Sequence, residues 1–150
     1  MVVKLWKTYA LPRSFYGIET LKFSKSDIQK LERLQLKICR QIQGLPDRTA
    51  NATTYALLGI ETVEAAVDKW MLFFFGNIIQ NGSSTEFRII ERQQVMSTQN
   101  KNAFATRIRN IIEKYNVPTI ITLMESVLPK EVWKRMVNNA VELYWKQTFE

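Results

Sequence analysis

Residues 24–46 read SKSDIQKLERLQLKICRQIQGLP, and this stretch decides the fold. Ser24 is a good helix N-cap, and Asp27 three residues on supplies an acidic first turn. At the far end Gly44 is a C-terminal stop, with Pro46 just beyond it. The spacing between them predicts a helix over 25–43 with Ile28, Leu31, Leu34, Ile38, Cys39 and Ile42 on one apolar arc. Lys30, Arg33, Lys37 and Arg40 are spaced three, four and three apart, so they stack along one line opposite that arc. Glu32 projects away from the line and Asp27 sits near the apolar side, so no acid is expected to interrupt it. At ~1.5 Å per residue the line is about 15 Å long, comparable with the ~12 Å width of a major groove.

The helical period continues outward in both directions. Residues 2–15 read as helix, with Pro12 expected to kink or break it, Tyr16-Gly17 ending it and 18–23 forming an irregular connector. Downstream, helices are expected over 51–58, 63–80, 86–96 and 102–115, then a short one after Pro118. Pro129 opens a last helix, at its first position, running to Thr148. The expected fold is therefore all-α, a bundle of about six to eight helices. A soft boundary at 81–84 divides 1–80 from 81–150, unless 1–150 is one continuous domain.

Charge singles out the same region. The 150 residues carry 21 Lys and Arg against 14 Asp and Glu, a net charge of +7. Residues 1–48 hold ten basic and four acidic side chains, hence +6, and the remainder contributes +1. Four cations on a rigid rod suit a phosphate backbone, because each neutralised phosphate releases condensed counterions. Arg13, Lys22, Lys25 and Arg48 are candidates to extend the patch, depending on how the flanking loops pack. The alternative is a merely solvated helix face.

Composition also excludes chemistry. Without histidine the chain has no Ser-His or Cys-His couple and no His-ligated metal site. The single cysteine, Cys39, falls at the apolar edge of its helix and is expected to be an inert buried thiol in a reducing, intracellular setting. The five glycines are isolated, so no phosphate-cradling loop is present, and no Asp-Asp or Asp-x-Asp pair offers a metal centre. No catalytic residue, cofactor or metal is expected. The longest apolar run, Trp70–Phe75, is far too short for a membrane span, and no signal peptide is expected. That run is apolar almost all round its helix, which fits a buried central helix or a face awaiting a partner. Trp133, Met136, Val137, Ala140, Val141 and Tyr144 form a core stripe, with Trp145 left for a neighbour.

Several phrases, in order, carry a resemblance. They are Leu5-Trp6-Lys7-Thr8-Tyr9-Ala10-Leu11-Pro12-Arg13, Tyr16-Gly17-Ile18-Glu19, Leu31-Glu32-Arg33 and Ile42-Gln43-Gly44-Leu45-Pro46-Asp47-Arg48-Thr49. Leu57-Leu58-Gly59, Phe75-Gly76-Asn77-Ile78, Trp133 and Tyr144-Trp145 follow. Together they resemble the thumb and following helical region of reverse transcriptases from LINE-type (non-LTR) retrotransposons. The family's Tyr/Phe-Ala-Asp-Asp catalytic turn is absent. The resemblance thus implies a fragment or degenerate copy without the palm, non-catalytic, whose parent would be an RNA-directed DNA polymerase. It further implies a module holding RNA–DNA or DNA duplex through backbone contacts, a missing palm domain as a second partner, and a nuclear location. Two other readings stay open: a helical protein-interaction module with an aromatic binding surface, and a non-functional retroelement remnant.

Overall fold

A computed structural model describes residues 1–18, 21, 23–96 and 103–149. Lys22, Asn102 and part of the 18–23 connector, with Glu19, lie outside the described residues. Among the described residues the chain is all-α, with eight helices and no strand. It forms two compact units, residues 1–67 and 68–150.

The first helix, α1, joins Val2–Leu5, Trp6–Ala10 and Leu11–Ser14 end to end. Its middle segment is a π turn, in which the Leu11 N–H donates to the Trp6 carbonyl. Pro12 therefore does not end the helix. Proline lacks an N–H and its ring crowds the carbonyl four residues back, and the wider turn just before it relieves that conflict. Then follow α2 (Lys25–Gln43), α3 (Asn51–Leu58) and α4 (Val63–Gln80), within which the division between units falls.

The caps of α2 are those expected. Asp27 N–H donates to Ser24 Oγ at 3.2 Å while Ser24 N–H donates to Asp27 Oδ2 at 3.1 Å, a reciprocal capping box. Gly44 ends the helix in the left-handed region at φ +62°, and Leu45 N–H closes the last turn on the Arg40 carbonyl at 2.9 Å.

Two apolar clusters hold the first unit together. Phe15, Ile18, Val63, Ala66 and Val67 pack with Leu11, Phe23, Ile28 and Leu31. Leu36, Cys39, Tyr55 and Ile60 pack with Val3, Trp6 and Leu58. Helix α2 thus buries one side against α1, α3 and the start of α4. Leu34, expected on the apolar arc, is instead 54% exposed, and Leu36 is buried. The buried face is centred on Gln35, Leu36 and Cys39, and Gln35 tolerates burial because its Nε2 donates to the Glu61 carbonyl at 2.9 Å.

The second unit contains the rest of α4, then α5 (Thr85–Val95), α6 (Phe104–Tyr115), α7 (Ile120–Glu125) and α8 (Lys130–Phe149). Residues 81–84 join α4 to α5 within this unit, and Ser84 Oγ caps Phe87 N–H at 3.1 Å. Pro129 precedes the first helical position rather than occupying it, and its carbonyl accepts from Trp133 N–H at 3.0 Å. Met71, Leu72 and Phe75 are buried together with Trp133, Val137 and Val141, while Trp70 is partly exposed. Trp133 Nε1 donates to the Leu72 carbonyl at 2.9 Å, so burial leaves its polar atom satisfied.

Candidate nucleic-acid interface

Lys30, Arg33 and Lys37 are exposed along the side of α2 that turns away from both clusters. Backbone periodicity sets them about one turn apart, so the three span roughly 10 Å. Exposed Leu34 lies among them, an apolar element that periodicity alone had assigned to the core.

The neighbouring acids are held elsewhere. Ser24 Oγ donates to Asp27 Oδ2 at 2.6 Å, and the two Ser24 bonds hold the Asp27 carboxyl below its ordinary range. Lys30 Nζ stands 3.9 Å from Asp27 Oδ1, with the lysine side chain 73% exposed, a loose contact of little energetic weight. Glu32 faces the opposite way. Its carboxylate accepts from the Tyr55 hydroxyl and, at 2.9 Å, from Val63 N–H at the start of α4. It thereby caps a helix that begins far along the chain, where negative charge meets unsatisfied N–H groups. Burial outweighs these hydrogen bonds and raises the Glu32 carboxyl above its usual range, while burial and Glu32 push the Tyr55 hydroxyl upward.

Arg40 behaves differently from the other three. It is partly buried, and its Nη2 donates to the Thr49 carbonyl at 2.6 Å and to Asn51 Oδ1 at 2.8 Å. The guanidinium ties the loop after α2, and the start of α3, back onto the helix. Arg48, immediately before Thr49, is exposed in that loop. Arg13 is exposed at the end of α1, and Leu11 and Phe15 beside it share a cluster with Ile28 and Leu31 of α2. Tyr9, four residues before Arg13 on α1, and Tyr16, in the turn three residues after it, are also exposed. Lys25 occupies the first position of α2, about 140° around the helix from Lys30. Lys7 is engaged elsewhere, donating to the Gly59 carbonyl at 2.6 Å where α3 ends.

Among the described residues no group of three or more Cys, Asp or Glu side chains gathers where a metal ion would sit, and no helix is long and apolar enough to cross a membrane. Cys39 is fully buried, and that burial pushes its thiol upward, away from the thiolate a nucleophile requires.

The fold and the site together define an all-α protein in which α2 presents an exposed cationic face. No protein-family model, curated protein or solved structure matches the chain.

Proposed function

We propose that the first unit is a thumb-type module that holds nucleic-acid duplex through its sugar-phosphate backbone, without catalysis of its own. The observation that supports this most is the line Lys30–Arg33–Lys37. These cations are exposed, carried on one helix, and backed by an opposite face packed against two apolar clusters. Glu32, the acid nearest in sequence, is turned inward to cap α4. Such a surface neutralises phosphates without reading bases, so binding is sequence-tolerant and falls steeply with salt. The resemblance to the thumb region of LINE-type reverse transcriptases gives the surface a context: RNA–DNA or DNA duplex as ligand, an absent palm domain as neighbour, and a nuclear retroelement protein as parent. The test replaces Lys30, Arg33 and Lys37 together by Ala and titrates duplex at low salt. Affinity should drop; binding equal to the parent's would refute the assignment.

A second reading has its own support. Val2, Leu5 and Tyr9 are exposed at helical spacing on α1, a row suited to a protein partner. On that reading the α2 cations are only solvated. Recovery of a defined partner protein after nuclease treatment, lost in a Leu5→Glu variant, would favour it.

A further inference from the structure

We propose that Arg40 is a positioning residue rather than a phosphate contact, and that Arg48, in the turn it holds, is the fourth cation of the interface. This rests on the duplex-holding reading and sharpens which side chains carry it. Arg40 begins on the same helical line as Lys37, yet its guanidinium bends back to the protein. One nitrogen bridges the Thr49 carbonyl at 2.6 Å and Asn51 Oδ1 at 2.8 Å, and Nε is buried with no partner among the described residues. Both N–H groups of Nη2 are thus taken by acceptors of the protein itself.

The turn that Arg40 grips is itself ordered. Thr49 N–H donates to the Pro46 carbonyl at 3.0 Å, and Thr49 Oγ1 donates to the same oxygen at 2.7 Å. Arg48 is one residue from the gripped carbonyl, so its backbone lies beside the Arg40 guanidinium at the C-terminal end of α2. Its side chain is exposed and makes no ion pair among the described residues. Arg48 thus carries an exposed cation in the turn that Arg40 grips.

Arginine suits this role because its rigid planar guanidinium holds Nη2 in one orientation between the two acceptors, whereas a lysine ammonium is a point charge on a flexible stem. Arg40→Lys therefore separates the roles. It keeps the charge that a phosphate contact needs and loses the planar group that holds the turn. The experiment measures binding of random-sequence duplex DNA by the full chain across a salt series, for R40K, R48A, the double variant and N51A. Circular dichroism confirms that each remains helical. R40K and R48A should each flatten the log–log salt slope by about 0.9, the value of one phosphate contact. The double variant should flatten it no further, and N51A, which leaves every cation in place, should shift it the same way. Wild-type behaviour of R40K or N51A, silence of R48A, or additive effects in the double variant would overturn the inference. In those cases a K30A/R33A/K37A variant that still loses affinity would show that the duplex reading itself survives. A wild-type chain that binds no duplex at low salt would overturn both.

Discussion

The indole of Trp133 fills the space beside Gly76: a Cβ on Gly76 would fall 2.3 Å from Trp133 Cδ1 and 2.4 Å from Nε1. The ring has no easy escape, because Nε1 is bonded to the Leu72 carbonyl at 2.9 Å and the residue is buried. Gly76 is there so that α8 can lay a large aromatic directly against the α4 backbone.

Gly76→Ala should therefore destabilise the protein by about 2 kcal/mol or more, the cost of forcing a packed ring out of its place. Urea denaturation followed by tryptophan fluorescence reads this as a lower midpoint. An unchanged midpoint would mean that the indole can move freely.

Lys114 ties the second unit together through charge and π contacts. Its Nζ is 2.8 Å from Asp68 Oδ2 and lies over the rings of Tyr115, Tyr144 and Trp145 at 4.9, 5.4 and 5.1 Å. Tyr115 also donates to Asp68 Oδ2 at 2.6 Å. Lys114→Met removes a cation from a largely desolvated carboxylate and should cost about 3 kcal/mol. Asp68→Asn should cost a similar amount, and the double variant less than the sum, because one interaction is lost only once. Full additivity in the denaturation midpoints would contradict the pairing.

Glu32 makes stability depend on pH in an unusual direction. Its carboxyl holds a proton more tightly in the folded state than at the ordinary value of 4.5. The folded chain then binds more protons than the unfolded one just above 4.5, so this group's contribution is greatest below that value. It declines as pH rises towards the elevated folded value. Asp27, held below its ordinary value of 3.8, acts oppositely, with stability present above that value and lost as pH falls. Glu32→Gln removes the first effect and keeps the second. The stability of E32Q relative to wild type should therefore increase from pH 4 towards neutrality; a constant difference would contradict the burial of this carboxylate.

Much of α2 was legible because its signals are local. Ser24, Asp27 and Gly44 act on backbone groups within one turn of themselves, and the structure puts each in its expected role. The exposed cations Lys30, Arg33 and Lys37 follow from periodicity as well. Leu34 and Arg40 did not, for different reasons. The buried arc is rotated towards Gln35, whose amide finds a backbone carbonyl from the segment before α4, a partner invisible in the helix's own sequence. Arg40 is drawn back by acceptors on a loop and on α3, and a long side chain can follow either water or such acceptors. The π turn before Pro12 was illegible too, since proline forbids one geometry without specifying which replaces it.

On the proposed duplex-holding reading, Asp47 sets an opposing charge beside Arg48. It is exposed next to Arg48 in the turn that follows α2. Asp47→Asn should tighten duplex binding by about twofold to fivefold at low salt, as expected for an exposed charge close to a phosphate. Weaker binding by D47N, measured by fluorescence anisotropy, would place the duplex elsewhere.

The salt dependence of duplex binding tests the central claim most directly. For the wild-type chain, affinity should fall linearly on a log–log plot against salt. In K30A/R33A/K37A the slope should flatten by about 2.7, three contacts at ~0.9 each. Equal slopes for the two proteins, or a wild-type affinity indifferent to salt, would contradict the account.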